Sequence, residues 1–325
     1  MTSFRVEPDV LAQVLDPHEA GPRVVAIGGG TGLAQALQAI THYAGAVTAI
    51  VTVADDGGSS GRLVPALDIP PPGDIRRCLV ALTPQDSVWR RLFEYRFETG
   101  DIAGHSLGNL ILAAMADLED DFEEALRTAR RLLGAVGDVV PASPGPLRLE
   151  GVVAGEPKHG QVEVARAHGR VERLWLEPET ASASPSALEA VMAADQIVLG
   201  PGSLYTSVAA ALLVPGIVDA VNASRARLVV VANIMTQDAE TLGMDAADHL
   251  DGLLDLTGVR PPGAIVANVA KVDAVPPLET LHVDPEIMAT YGADVIEADL
   301  VDPTAAWPRH DPARLGEVLS RLATA

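Results

Sequence analysis

A short apolar run that ends in glycines and opens into a helix recurs along this chain, and it restricts the possible folds more than any other feature. Arg23-Val-Val-Ala-Ile27 is followed at once by Gly28-Gly-Gly-Thr-Gly32 and a helical stretch to about residue 44. Val47–Val53 runs into Ala54-Asp-Asp-Gly-Gly-Ser-Ser-Gly61, and Gln196–Leu199 turns through Gly200-Pro-Gly-Ser203 into another helix. Further strands are expected at Leu228–Ala232, Gly263–Val269 and Asp294–Ala298. Strand, turn, helix, strand implies right-handed crossovers and a parallel sheet with helices on both faces. The composition agrees: 48% of the 325 residues are hydrophobic but only 3% aromatic, so the core is built from Ala, Val, Leu and Ile. That mixture suits parallel strands buried on both sides.

Between the second strand and Gln196 the rhythm changes. Residues 72–134 are mainly helical, with apolar residues recurring every three or four positions in 75–82, 106–118 and 122–133. Leu147-Arg-Leu149, Val162-Glu-Val164 and Val171–Leu176 alternate apolar with polar, which predicts a small antiparallel β excursion at about 147–177. Helices are expected at 186–194, near 283–291 and at 312–323. Residues 1–21, broken by Pro8 and Pro17, form an N-terminal extension, and 22–325 form a single α/β domain.

Charge and cysteine content narrow the function. The formal net charge is −21, from 23 Lys and Arg against 44 Asp and Glu, with no basic run beyond two residues, so nucleic acid is not an expected partner. The single Cys78 cannot form a disulfide within the chain and reads as a buried small hydrophobe. No signal-peptide pattern opens the sequence and no stretch reaches about 18 uncharged apolar residues. The expected setting is the cytoplasm, without membrane insertion.

The glycine turns are the candidate sites. Gly28, Gly29, Gly30, Thr31 and Gly32 expose backbone N–H groups at a positive helix end, where anions bind. The match to known fingerprints is partial. Leu33 stands where a dinucleotide motif has its last glycine, which weakens a dehydrogenase reading, and no lysine completes a Walker loop. Asp55 and Asp56 follow the second strand at the same sheet edge, placed to accept from ribose hydroxyls or to hold Mg²⁺. Ser59 and Ser60 either donate to phosphate or cap a helix. In the third turn, Gly200-Pro201-Gly202-Ser203, Ser203, Thr206 and Ser207 are placed to point at a second phosphate or a sugar, with Ser203 alternatively an N-cap. Asp74, after Pro71-Pro72-Gly73, is a helix cap or a further Mg²⁺ ligand. Gly104-His-Ser-Leu-Gly108 fits a hydrolase elbow in letters only, because no apolar strand precedes it. His105, Ser106 and Asn109 are instead expected to line a pocket from a helix start. No zinc pattern is present.

Ile27–Leu33, Val51–Arg62, Pro72–Arg76, Gly104–Asn109, Leu199–Ser207, Asn233-Ile-Met-Thr-Gln237 and Arg309-His-Asp311 together closely resemble the YvcK-type gluconeogenesis factors of the CofD-like superfamily. The resemblance runs from about residue 23 to the C-terminus. It implies a Rossmann-like sheet and binding of UDP-sugars, notably UDP-N-acetylglucosamine, with NAD as another ligand to consider; no cofactor is fixed by the sequence. It implies a regulator linking carbon metabolism to cell-wall synthesis and cell shape. Such a regulator acts through a protein partner not identified by sequence and is expected to be a homo-oligomer. On this likeness Gly28–Gly32, Asp55, Asp56, Ser59, Ser60, Ser203, Asn233 and Thr236 surround the nucleotide, and Arg309 pairs with its diphosphate. The alternative is a Mg²⁺-dependent transferase moving a phospholactyl-type group from a nucleotide diphosphate to an acceptor alcohol. The scarcity of aromatic side chains for a flat deazaflavin acceptor favours the regulator. Pro312 follows Arg309-His-Asp311 where relatives carry a hydroxyl residue, so regulation by phosphate at that point is not expected.

Overall fold

The computed structural model describes residues 21–119 and 121–324. The expected extension 1–21 therefore lies outside the described residues, apart from Gly21. Along the chain, β1 (Arg23–Gly28), α1 (Gly30–Ile40) and β2 (Ala46–Val51) come first, then α2 (Ser60–Leu67), α3 (Pro72–Ala81), α4 (Val88–Glu94), α5 (Leu107–Leu118) and α6 (Phe122–Leu133). Next are β3 (Asp138–Pro141), β4 (Arg148–Val153), β5 (Glu156–His159), α7 (Gln161–Arg166), β6 (Val171–Glu177), α8 (Pro185–Ala193) and β7 (Gln196–Leu199). A π-helical stretch, Leu204–Ala209, runs into α9 (Ala210–Leu212). The chain ends with α10 (Ile217–Ala223), β8 (Arg227–Val231), α11 (Ala246–Thr257), β9 (Ala264–Asn268), α12 (Pro285–Ala289), β10 (Asp294–Ala298) and α13 (Pro312–Ala323).

Seven strands form one sheet in the order β10-β9-β8-β7-β1-β2-β3, and every pairing in it is parallel. Alternate residues of a strand face opposite sides, and β1 shows both sides buried. Val24 and Ala26 pack under α1, α3, α6 and α13, while Val25 and Ile27 face α8, α10, the π-helical stretch and the small sheet. The chain runs outward from β1 through β2 to β3, then returns to place β7 on the other side of β1. That reversal opens a crevice beyond the carboxyl ends of β1 and β7, the place where ligands bind in open α/β sheets. Both glycine turns, 28–32 after β1 and 200–203 after β7, fall there.

The antiparallel excursion is a three-stranded sheet, β5-β4-β6. One expected strand is corrected: Val162-Glu-Val164 lies in α7, where Val164 packs into the core and the N–H of Val162 donates to Asp56 Oδ1 at 3.0 Å. A run of three residues carries too little periodicity to separate helix from strand. At the opposite edge of the main sheet, the buried Gln196 ties three elements together. Its Oε1 accepts from the Tyr43 hydroxyl at 2.6 Å, and its Nε2 donates to the Leu319 carbonyl of α13 at 3.0 Å. No single helix among the described residues is long and apolar enough to cross a membrane.

Candidate functional site

The turn after β1 is built for close approach. Gly29 is the extended N-cap of α1, and a Cβ there would lie 2.7 Å from Asp74 Oδ2 and 2.8 Å from Thr52 Cγ2. Gly32 sits in the first turn of α1 against the other glycine turn, where a Cβ would lie 2.3 Å from the Pro201 carbonyl oxygen. The two turns therefore touch, backbone to backbone, across the switch point of the sheet.

Four of the N–H groups at this edge are engaged by side chains of the protein. Gly30 N donates to Asp74 Oδ2 at 2.7 Å, so Asp74, on the first turn of α3, caps α1 rather than its own helix. Burial is the main reason its carboxyl is raised above the usual range, and its ion pair with Arg77 opposes that rise. Tyr205 N and Thr206 N donate to Glu240 Oε1 at 2.8 and 3.0 Å, filling the N-terminal end of the π-helical stretch with another buried carboxylate. Its carboxyl is also raised, chiefly by burial. Asn233 clamps Gly202 at two points: its Oδ1 accepts from Gly202 N at 3.0 Å and its Nδ2 donates to Gly202 O at 2.8 Å. The sequence reading placed an amide cradle at these turns. In the structure the turns converge, and the amides of Gly30, Gly202, Tyr205 and Thr206 are held by the protein's own oxygens.

Around the meeting point lies a cavity of about 510 Å³. Thr31, Gly32 and Gln35 of α1, Gly202 and Ser203 of the second glycine turn, and Asn233, Thr236 and Gln237 line it. Trp307 and Arg309 reach over it from the loop before α13, each about half exposed. Arg309 is aimed by Asp302, whose Oδ2 accepts from its Nε at 3.0 Å and its Nη2 at 2.8 Å. Hydrogen bonds from Thr304, then from Arg309, hold the Asp302 carboxyl down to about 2, so this support is ionised at neutral pH. Gln237 donates from Nε2 to Ser203 Oγ at 2.9 Å, and its Oε1 is buried without a partner, leaving one amide atom at this wall unsatisfied.

The expected site residues divide. Thr31, Gly32, Gly202, Ser203, Asn233, Thr236 and Arg309 line this one cavity. Gly28, Gly29 and Gly30 lie behind it, with Gly29 and Gly30 on Asp74 and beside the Ser207 hydroxyl. Thr206 donates to Glu240. The remaining candidates form an adjoining polar network. Asp55 Oδ1 accepts from Gly57 N at 2.9 Å, and Ser60 Oγ accepts from Gly73 N at 3.3 Å. Ser59 Oγ accepts from Asn109 Nδ2 at 3.0 Å, leaving its hydrogen for His105 Nδ1 at 2.8 Å, and Asn109 Oδ1 accepts from Arg76 Nε at 2.9 Å. Burial lowers the His105 pKa, with Arg62 and Arg96 adding to it, which fits a neutral ring. Ser106 is fully buried as the N-cap of α5, which fits the rejection of a hydrolase elbow.

Of the expected Mg²⁺ ligands, Asp55 lies close enough to Asp56 and to Asp74 to add to the rise that burial causes in both carboxyls. Asp74 is committed to Gly30 and Arg77, and Asp56 to Val162. Among the described residues no group of three or more His, Cys, Asp or Glu side chains converges on a metal position. Sequence reasoning missed Gln35, Gln237, Glu240 and Trp307 as parts of the site. The signal for Gln237 was its place in the Asn233–Gln237 run, and for Trp307 its nearness to Arg309.

A family model described as 2-phospho-L-lactate transferase CofD matches residues 24–301. The chain is 47% identical over 238 residues to the gluconeogenesis factor of Halalkalibacterium halodurans, covering 73% of this chain and 74% of that protein. It is 38% identical over 318 residues to the gluconeogenesis factor of Bacillus subtilis, covering 93% and 98%. A crystal structure of a UPF0052 family member from Bacillus halodurans matches with a TM-score of 0.88 and 39% identity, over 92% of this chain and 98% of that one.

Proposed function

Because this chain belongs to the CofD family and, within it, to the gluconeogenesis factors, we propose that it is a nucleotide-sugar sensor of the UDP-N-acetylglucosamine type. In this reading it acts in the cytoplasm, tied to carbon metabolism, cell-wall synthesis and cell shape. The observation that carries it is the cavity at the switch point, where two glycine turns pack together under Arg309. The planar guanidinium fork of Arg309 suits a diphosphate. The hydroxyls of Thr31 and Ser203 supply further donors, and the Trp307 ring offers a face for a base or sugar. Ligand binding would change how this edge meets a regulatory protein partner, with the chain working as a homo-oligomer.

The test is calorimetric titration with UDP-N-acetylglucosamine, NAD and a guanosine diphosphate ligand, each with and without Mg²⁺. The UDP-sugar binds, and Arg309→Ala weakens it about 10- to 100-fold, the worth of a lost charge-assisted hydrogen bond. No heat with any UDP-sugar removes the reading. The family model's own description favours a second reading, a transferase acting on a nucleotide diphosphate. Mg²⁺-dependent turnover of a guanosine diphosphate-linked phospholactate with a deazaflavin alcohol would put that reading first.

A further inference from the structure

Beside the cavity under Arg309 lies a second cleft, of about 400 Å³, between α1, α3 and α4. The two share Thr31, Gln35 and Arg309, so they are adjoining halves of one opening. Its lining gathers Arg76, Arg77, Arg90 and Arg309 against a single carboxylate, the half-exposed Glu94, in a chain whose net charge is −21.

Arg76 is the decisive residue. It is 7% exposed, and among the described residues it forms no ion pair with a carboxylate. Its Nε donates to Asn109 Oδ1 and its Nη1 to the Phe93 carbonyl at 3.3 Å, two neutral acceptors for a group with five N–H donors. A buried guanidinium without a carboxylate partner in hydrogen-bond contact is costly, so such groups are found paired or at binding sites. Burial, then the charges of Arg77 and Arg96, pulls the group down to about 10, and the carboxylates of Glu94 and Asp74 offset only part of that fall. Arg90 adds a second under-compensated cation. Its side chain is 16% exposed, its Nη1 donates to the Thr83 carbonyl at 3.0 Å, and its nearest carboxylate, Glu94, is 3.9 Å away. Arg77 and Arg309 are paired, with Asp74 and Asp302, and hold the rim.

We propose that this arginine-lined half is an anion subsite for a compact oxyacid group, a phosphate or a carboxylate, held by Arg76 and Arg90 and closed by Arg77 and Arg309. The group comes either from a free small acid or from the far end of the ligand whose diphosphate lies under Arg309. The free-acid form stands without the nucleotide-sugar reading, and the linked-acid form rests on it.

Two titrations of the full chain, at constant ionic strength, separate these sources and test the inference. In the first, inorganic phosphate is titrated into protein saturated with UDP-glucose. A free-acid subsite gives saturable binding that Arg90→Gln weakens at least tenfold. Arg77→Gln, whose side chain is 40% exposed and less bound up with folding, weakens it as well. In the second, UDP-glucuronic acid is compared with UDP-glucose, from which it differs by one carboxylate. A linked-acid subsite binds the glucuronic acid about tenfold more tightly, and Arg90→Gln removes the difference. Phosphate binding that is absent or unmoved by both variants, together with equal affinity for the two UDP-sugars, overturns the proposal. If no UDP-sugar binds but phosphate binds in an Arg90-dependent way, the nucleotide-sugar reading fails and the subsite stands.

Discussion

Replacing Gly32 by alanine sets two effects against each other, and the structure decides between them. Gly32 lies within α1, where alanine is favoured over glycine by about 1 kcal/mol. On propensity alone the variant is stabilised. The added Cβ, however, would lie 2.3 Å from the Pro201 oxygen, 2.7 Å from the Pro201 carbon and 2.9 Å from Gly202 N. Carbon contacts settle near 3.5–4.0 Å, so the Pro201–Gly202 turn must retreat by about 1 Å. It has little freedom to do so, because Asn233 holds Gly202 through both N and O and Gln237 holds Ser203. Overpacking of this kind costs about 1–3 kcal/mol, and loosening the Asn233 clamp costs about 1 kcal/mol more. The steric effect wins, with a net loss of about 2 kcal/mol. Urea unfolding followed by circular dichroism reads that loss as a lower midpoint at unchanged slope. Calorimetry with UDP-N-acetylglucosamine reads the displaced cavity wall as an affinity at least tenfold weaker. Gly29→Ala is the comparison: its Cβ meets Asp74 Oδ2 and Thr52 Cγ2, both buried, so it displaces the carboxylate that caps α1 and also loses stability, but without moving the Pro201–Gly202 turn. A Gly32→Ala protein as stable as wild type, with affinity intact, would refute the contact between the two turns and the site built on it.

Three further outcomes follow from individual groups. Asn233→Ala removes both bonds to Gly202 and is expected to cost about 2 kcal/mol, with weaker UDP-sugar binding; unchanged affinity would sever the clamp from the site. Burial holds His249 and His310 down to about 4, below the ordinary value near 6.5, so the unfolded chain takes up protons first as pH falls. Their stabilising contribution is complete above about pH 6.5 and is lost toward pH 4, at up to about 1.4 kcal/mol per pH unit for each group. His249 Nε2 has no partner, so His249→Leu raises stability at pH 7.5 and narrows the gap between urea midpoints at pH 7.5 and pH 5; an unchanged gap contradicts this. The Cys78 thiol is fully buried and its pKa is raised by that burial, so it reacts with a disulfide reagent only in denaturant; rapid reaction of the native protein would place it elsewhere.

What the sequence disclosed followed from local rules. β1, its glycines and α1 were legible because an apolar run, residues without Cβ and a helical period stand side by side at 23–40. The seven-stranded parallel sheet followed from the repetition of that unit. β3 escaped notice because four residues closed by Pro141 carry little pattern, although they form the sheet's edge. α11 also went unread, although Asp245 and Asp248 form a capping box at its start that a search for helix signals would find. The site was legible only by residue type. That Gly32 and Gly202 share a cavity with Arg309 depends on the strand order β7-β1, which no local signal fixes. The pairing of Asp74 with Gly30, 44 positions away, is likewise a product of the crossover between β1 and α3.

That pairing changes what selects an anion here. A helix N-terminus attracts negative charge through its unpaired N–H groups and its dipole. In this chain Asp74 stands at the start of α1 and Glu240 at the start of the π-helical stretch, both buried, so a large part of that attraction is met internally. On the proposed reading, a diphosphate at the switch point meets two carboxylates behind the glycine turns and is matched by cations in front of them. Arg309, fixed by an ionised Asp302, stands on one side, and the cleft of Arg76, Arg77 and Arg90 opens on the other. On the proposed reading, guanidinium groups on α3, α4 and the loop before α13 share the role that bare amides take in an ordinary phosphate loop. On that reading the missing lysine and final glycine of the first turn are matched by charge recognition elsewhere, while Gly32 lets the two strands' turns come into contact.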